Sequence, residues 1–338
     1  IEIGYKNRTN DSLVNNAVER VNQSHSYYLK SQLIKTDKSN LSIYLNYRNL
    51  KYKDNQIPDE TSLNSRLLYT NSFFNNLIQS STIYETTSGT IAQQEFTYLE
   101  VDPGQGVYMW NDYNNNGIQE IQEFEVAPFS DQATFVRVYL PNQTYIKTHQ
   151  NRFSQSLIFN GLAWQNKTGV QKFLSHFYNQ FSFLVERKIE KENSNFDLNP
   201  FSNNENTLGL NNNFRNNLFY NKGKQNHSVT YTYVNNHSKS LLNVGSQEAK
   251  SYIHQIQYAH LVAKTWLFQI NSQTGNTKSY SENYSSKDYE IDNYSASPKI
   301  SYLFSKNASW DIFYEYKHQK NTINSMEMLK QNQLGTGL

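Results

Sequence analysis

The chain has 338 residues and nearly balanced charge, with 31 basic and 29 acidic side chains and a net charge of +2. We therefore expect no nucleic-acid partner, and the absence of cysteine excludes disulfide scaffolds, thiolate-bound metals and thiol nucleophiles. Only 37% of the residues are hydrophobic, but the 26 Tyr and 19 Phe argue against a disordered chain. Because Tyr, Phe and Thr favour strands, the composition predicts an all-β protein.

Apolar and polar side chains alternate with a period of two from the N-terminal region onward, and this alternation predicts strands. Residues 26–35 and 41–53 are predicted to form a hairpin around the polar turn 36–40. In the second strand one face is apolar and the other is mixed. The apolar face carries Leu41, Ile43, Leu45 and Tyr47.

The same alternation recurs along the rest of the chain. It predicts further strands over 171–186, 229–233, 266–270 and 310–318. Short polar turns are expected at 221–226 and 305–308. Longer polar loops are expected at 54–61, 192–206 and 235–250.

Long two-faced strands with tight turns on one side and polar loops on the other are typical of an outer-membrane barrel. We therefore predict an antiparallel transmembrane β-barrel with long polar surface loops, whose apolar face contacts lipid and whose polar face lines the lumen. Residues 1–338 are interpreted as one barrel segment, and the strand-like ends suggest a piece of a longer polypeptide. A soluble β-sandwich, solenoid or propeller also alternates, and Asn-rich disorder is a further alternative.

One segment carries a motif with defined chemistry. Residues 112–123, DYNNNGIQEIQE, match the calcium-loop pattern D-x-[DN]-x-[DN]-G-x5-E at every required position. Calcium prefers six to eight oxygen ligands, and Gly117 permits the sharp turn that the loop needs. The predicted ligands are side-chain oxygens of Asp112, Asn114 and Asn116, the carbonyl of Ile118, Glu120 through a water, and both oxygens of Glu123.

The sequence before this loop does not predict the helix that an EF-hand requires. Pro103, Gly104 and Gly106 precede it, and such residues break helices. We therefore predict a bare calcium loop between two strands, with a structural role. Two ligand positions hold Asn rather than Asp, so affinity is expected at the weak, extracellular end, about 10⁻⁴ to 10⁻³ M. The alternative is a simple polar turn.

No sequence motif indicates catalysis, and we expect a protein that is not an enzyme. Neither H-E-x-x-H nor G-x-S-x-G occurs. His254 and His260 share a strand face but lie too far apart to hold one metal, so they are interpreted as surface or lumen side chains. Glu123 and Glu125 could mimic a pair of glycosidase carboxylates, but Glu123 is already assigned to the calcium loop.

The segment 104–157 reads GQGVYMWNDYNNNGIQEIQEFEVAPFSDQATFVRVYLPNQTYIKTHQNRFSQSL. It resembles a family of large outer-membrane β-barrel proteins of the Bacteroidota, most of them uncharacterised. The resemblance implies a barrel in the bacterial outer membrane, exposed at the cell surface and preceded by a signal peptide and a longer N-terminal region. Relatives in architecture are the translocon barrel of type nine secretion and TonB-dependent SusC-like transporters.

The expected function is that of a non-enzymatic structural or transport component of a cell-envelope complex. Its expected partners are the lipid bilayer and other outer-membrane or surface lipoprotein subunits. One alternative is TonB-dependent uptake of a glycan or peptide. Another is a surface β-adhesin that binds sugars by Tyr and Trp stacking.

Overall fold

A computed structural model describes residues 1–14, 16–54, 56–113, 115–191, 196–202, 207–224, 226–242, 245–282, 287–305, 308–323 and 327–338. The chain is all-β, as predicted, with 72% of it in strands and almost no helix. No helix in the described ranges is long and apolar enough to span a bilayer.

The strands follow one another along the chain with few other elements between them. They are β1 (Glu2–Val14), β2 (Ala17–Lys35), β3 (Ser39–Tyr52), β4 (Glu60–Phe73), β5 (Ile78–Glu100), β6 (Tyr108–Trp110), β7 (Phe124–Val126), β8 (Phe135–Asn160), β9 (Phe177–Glu190), β10 (Thr207–Tyr220), β11 (Ser228–Leu242), β12 (Gly245–Val262), β13 (Trp266–Ser281), β14 (Tyr289–Leu303), β15 (Ser309–Asn321) and β16 (Met328–Gly337). Short 3₁₀ helices span Ile121–Glu123, Ser130–Gln132 and Gly161–Trp164, and α1 spans Val170–Leu174.

The topology is a meander in which each long strand pairs antiparallel with the next long strand. Among the described residues the order is β1 to β5 and then β8 to β16, fourteen long strands in all. The small strands β6 and β7 pair with each other beside the start of β8. In the same part of the chain β1 pairs only with β2 and β16 only with β15, so the sheet is not closed.

The register places apolar side chains on one face of the sheet across successive strands. Directly opposite residues share a face, and Ile43, Leu67, Tyr84 and Phe153 lie opposite one another across β3, β4, β5 and β8. We call this the apolar face. The other, the polar face, carries pairs such as Arg66 with Glu85 and Lys299 with Asp311. This confirms the predicted division between two unlike faces.

On the apolar face, large side chains gather toward the ends of the strands that the short turns join. We call this zone the apolar belt. It comprises alternate residues of 41–47, 63–69, 78–84, 153–159, 177–183, 214–220, 229–233, 256–262, 266–270, 298–302 and 310–314.

Two cavities lie largely against the polar face. A cavity of about 460 Å³ lies against polar-face residues of β11 to β15, among them Thr230, Asn271 and Glu315. A second, of about 480 Å³, lies against Asn46 and Asn64 at the other end of the meander. Both cavities are therefore lined in large part by residues of the polar face.

One row of paired residues shows that the apolar belt runs obliquely to the hydrogen-bonded ladder. The row links Phe153, Val185, Asn212, His237, Lys250 and Lys278 from β8 to β13. It starts inside the belt at Phe153, but on β13 the belt ends at Ile270, about eight residues from Lys278 along a strand that rises ~3.3 Å per residue. From β8 to β13, with strands ~4.8 Å apart, the paired row therefore moves along the strands by about as much as it moves across them. A belt that is level requires the strands to tilt by about 45° to compensate.

Buried apolar side chains are few, and no second sheet packs on the first among the residues described. They are Leu77, Tyr108, Ala133, Phe135, Val185 and Ile189. The fold is therefore held mainly by its antiparallel ladder and by side-chain pairs across it. This arrangement differs from a β-sandwich, in which two inner faces form a shared core.

Two sequence predictions about element boundaries were wrong. Residues 171–176 are α1 and a turn rather than strand, because Gly161 packs so closely on the backbone of Leu174 and Phe177 that the chain folds into a compact insert before β9 begins. Residues 235–250, predicted as a polar loop, are mostly the paired ends of β11 and β12. The polar composition of 235–250 suggested a loop. Both faces of these strand ends are polar because they lie beyond the apolar belt.

Candidate functional site

The predicted calcium loop is the loop of a small hairpin that projects between β5 and β8. Strands β6 and β7 pair from Tyr108 opposite Val126 to Trp110 opposite Phe124, which leaves residues 111–123 between them. This confirms the prediction of a loop between two strands. Flanking helices are absent from the described residues around it, apart from the single 3₁₀ turn at Ile121–Glu123.

An aromatic cluster at its base fixes this hairpin to the sheet. Phe124 stacks on Tyr98 of β5 with ring centroids 4.0 Å apart and meets Phe135 of β8 edge-on at 5.0 Å. The guanidinium of Arg137 lies 4.4 Å from the ring centre of Phe96 and donates to the hydroxyl of Tyr98 at 2.8 Å. Because such aromatic and cation–π contacts add stability beyond area burial, the two ends of the loop are held firmly.

The first half of the loop winds around the carboxylate of Asp112. Its two oxygens accept hydrogen bonds from the backbone amides of Asn116 at 3.1 Å and Gly117 at 2.8 Å. The side-chain oxygen of Asn116 accepts from the amide of Ile118 at 2.7 Å. Gly117 has φ +70°, a conformation that glycine adopts without steric cost. The sharp turn predicted from the motif is therefore present.

The second half of the loop buries Glu123. Its side chain is 4% exposed, and one oxygen, Oε2, accepts from the indole nitrogen of Trp110 at 2.9 Å. The other oxygen, Oε1, has no hydrogen-bond partner. A buried carboxylate oxygen without a partner is costly, so this atom is a natural ligand for a cation.

The structure does not bring the predicted ligands into a ready-made shell. In the described part of the chain, no group of three or more His, Asp or Glu side chains is placed to hold a metal, so Asp112, Glu120 and Glu123 do not converge as they stand. Glu120 instead accepts from the side-chain amide of Asn116 at 3.4 Å. Asn114 lies outside the described residues, and Ile118 is 62% exposed at the rim.

The other polar groups singled out from the sequence lie apart from this loop. His254 is on the apolar face of β12, 4.7 Å from the ring centre of Tyr233. His260 lies edge-on to His227 at 5.6 Å. Glu125 accepts from the hydroxyl of Tyr113 at 3.0 Å. These contacts are aromatic packing and polar pairing.

A second feature lies on the apolar face, in the loop between β9 and β10. Residues 196–202, which we call the strap, fold back over the wall formed by β5, β8 and β9. Arg187 of β9, only 1% exposed, donates to the carbonyls of Asn199 and Ser202, each at 2.9 Å, and to the carboxylate of Asp197.

The charge of Asp197 is stabilised in this position. Partial burial opposes its ionisation, but hydrogen bonds from the amide of Asn199, from Arg187 and from Ser202 outweigh burial and lower the pKa of its carboxyl. The strap is therefore held by an ionic contact as well as by backbone hydrogen bonds. Sequence reasoning missed this feature, and the only signal for it was three apolar residues within a polar loop: Phe196, Leu198 and Phe201.

No protein-family model and no curated protein matches this chain. The resemblance of residues 104–157 to outer-membrane proteins of the Bacteroidota therefore stays an expectation. What the chain does has to be argued from its two faces, its loop at 112–123 and its strap.

Proposed function

We propose that this chain forms the wall of an outer-membrane β-barrel, acting as a non-enzymatic structural or transport component of a cell-envelope complex. The observation that carries the proposal is the apolar belt, which crosses successive strands on one face of the sheet while the opposite face is polar. Within the belt, several large side chains are about two-fifths exposed. Examples are Phe268 at 39%, Ile270 at 41% and Ile312 at 40%. In water, apolar surface of this extent is normally covered.

Several polar side chains that interrupt the belt bond to one another. Gln155 donates to the hydroxyl of Ser80 at 3.0 Å and accepts from Thr82. Asn179 donates to the side-chain oxygen of Asn216 at 2.6 Å. Hydrocarbon offers no hydrogen bonds, so a wall that contacts lipid must satisfy such groups internally.

The strand tilt supports the same proposal. A lipid-facing belt must lie level in the bilayer, and the register requires a tilt of about 45° for that, close to the tilt of known membrane strands. The free edges of β1 and β16 would need backbone partners in lipid, which β1 and β16 could supply to each other or further strands could supply. Proposed partners are therefore the bilayer and other outer-membrane or surface lipoprotein subunits.

Matched lysine substitutions on adjacent residues of β13 test the proposal. Phe268→Lys places a charge in the middle of the belt, whereas Gln269→Lys places it on the polar face. At mid-bilayer such a charge costs about 2–4 kcal/mol, so only Phe268→Lys should reduce insertion into liposomes. Equal insertion by both variants, or a protein that stays monodisperse without detergent, would reject the barrel and favour a surface β-adhesin. A TonB-dependent transporter would behave like the leading proposal and would show substrate uptake as well.

We propose that residues 112–123 bind calcium as a structural ion, and the observation that favours this is the unpaired, buried Oε1 of Glu123. Calcium would draw Asp112, Asn116 and Glu120 toward that atom and close the loop. The hairpin base is already fixed by its aromatic cluster, so only the loop would lose conformational entropy when calcium binds.

Titration calorimetry with calcium chloride tests this site. We expect millimolar or slightly tighter binding and protection of the loop from protease, both lost in Glu123→Gln. Glu125→Gln, which changes the neighbouring strand carboxylate, serves as the matched control and should bind normally. Absence of calcium heat in the unmodified protein would leave a polar turn as the correct interpretation.

A further inference from the structure

We propose that the strap, residues 196–202, extends the lipid-facing surface of the wall beyond the strands themselves. The inference rests on the proposed function, since it assigns the strap to the same bilayer as the apolar belt. It concerns a part of the wall whose strand residues are polar and could not face lipid on their own.

The polar stretch begins directly next to the belt on β5, β8 and β9. Belt residue Phe153 is followed on the same face by Asn151 and His149, two and four residues away. Asn151 is paired with Thr86 on one side and with Arg187 on the other. These three residues form a row of a hydroxyl, an amide and a guanidinium. If the row were uncovered, the lipid-facing surface would end at it.

The strap removes this polar patch from the outer surface. Thr86 and His149 are 0% exposed beneath it, and Asn151 and Arg187 are 1% exposed. The strap backbone supplies acceptors for two of them: Asn151 donates to the carbonyl of Asp197, and Arg187 donates to the carbonyls of Asn199 and Ser202. The wall side of the strap is therefore polar.

Two apolar side chains of the strap are exposed beside Asn199, and they extend the belt. Phe201 is 57% exposed and lies 5.4 Å from Phe153 and 6.3 Å from Phe183, both belt residues. Leu198 is 48% exposed, and its carbonyl accepts from the hydroxyl of Tyr84 at 2.5 Å. These contacts place Phe201 against the edge of the belt and Leu198 beside Tyr84, next to the polar patch.

Lipid fits this surface better than a protein partner does. The exposed apolar surface that the strap adds is small, essentially Leu198 and Phe201, and specific protein interfaces bury much larger areas. It is also continuous with the belt, which is proposed to contact lipid already. An aromatic ring at the edge of a hydrocarbon layer is a favourable anchor.

The natural absence of cysteine makes a labelling experiment clean. Single-cysteine variants Leu198→Cys, Ile270→Cys and Gln269→Cys are labelled with a fluorophore, reconstituted into liposomes and quenched with nitroxide-bearing lipids. We expect strong quenching at 198 and 270 and little at 269, which lies on the polar face. Phe201→Cys is a second strap reporter in case the label at 198 disturbs the hydrogen bond to Tyr84.

The outcomes separate this inference from the proposed function. Quenching at 270 without quenching at either 198 or 201 would overturn the role of the strap and leave the barrel intact. Failure of quenching at all positions, 270 included, would reject the lipid-facing belt and the strap together. Quenching at 198 or 201 comparable to that at 270 would support the inference.

Discussion

The two halves of the wall treat polar residues of the apolar face that lie beyond the belt in opposite ways. In β5, β8 and β9 these residues are buried under the strap, with Arg187 1% exposed. In β11 to β14 they are open to solvent and form ion pairs. Glu248 accepts from His237 at 2.6 Å and from Lys250 at 2.8 Å, while Lys278 and Glu290 lie 2.6 Å apart.

The difference indicates that the position of a polar side chain relative to the apolar belt decides whether its hydrogen-bond partners must come from the protein. A single hydrogen-bonded row passes from Phe153 in the belt to Lys250 and Lys278 in the open ion-pair region, because the strands are tilted. Where water reaches, exposed ion pairs cost little to form and contribute little. Where the wall is proposed to meet lipid, polar groups need internal partners, and the strap provides them for the amide of Asn151 and for the guanidinium nitrogens Nη1 and Nη2 of Arg187.

Removing the central cation of the covered half should have the largest effect. Arg187→Met keeps an apolar stem but leaves Asp197 without its cation and the strap carbonyls without donors. Breaking a buried pair from one side costs about 3 kcal/mol. We expect rapid protease cleavage within 196–202 and a lower thermal midpoint in detergent.

Arg215→Met is the control for that substitution, since Arg215 is exposed on the polar face and bonds only weakly to Asn217 at 3.4 Å. A change of less than about 0.5 kcal/mol is expected there. If the two variants resisted protease equally, the strap would not depend on Arg187, and the contrast between the halves would be lost.

Acid should release the strap by an intermediate amount. Hydrogen bonds lower the pKa of Asp197 in the folded protein, so its stabilisation is complete above the ordinary aspartate value of about 3.9 and is lost as pH falls through the lower folded value. A fluorophore at Leu198→Cys should report this release between pH 4 and the folded value. If a protein that also carries Asp197→Asn showed the same transition, the transition would have to come from another titrating group.

The smallest effect is expected in the open half. Glu248→Gln removes the anion shared by His237 and Lys250, but these side chains are 28–49% exposed, so a loss of about 0.5 kcal/mol is expected. Added salt should weaken the original protein slightly and leave the variant unchanged. A loss as large as that of Arg187→Met would mean that this half, too, depends on its polar contacts.

Much of the fold was predictable because alternation is a local property. The apolar run 41–47 correctly predicted β3 and its face, and the pattern at 112–123 predicted a loop between two strands. The prediction failed where the same local pattern is compatible with more than one type of secondary structure. Residues 171–176 alternate like a strand but fold as α1 and a turn, and 235–250 are polar like a loop but pair as strands.

The candidate site was predictable only in part. The motif identified Asp112, Gly117 and Glu123, and the structure places all three in one hairpin loop. It could not show that Oε1 of Glu123 is buried without a partner, because that depends on Trp110 and on the packing of the hairpin base. Nor could it show that the predicted ligands stand apart in this loop.

By itself, the sequence determined that the chain forms long antiparallel strands with one apolar and one polar face, since side chains alternate at a period of two whatever the neighbours are. Only the tertiary structure decided the tilt of the belt and the position of the strap. Both depend on register and on contacts between distant residues, such as Tyr84 with Leu198, which lie 114 positions apart. An alternation pattern does not show which backbone carbonyls will accept hydrogen bonds from a buried guanidinium such as that of Arg187.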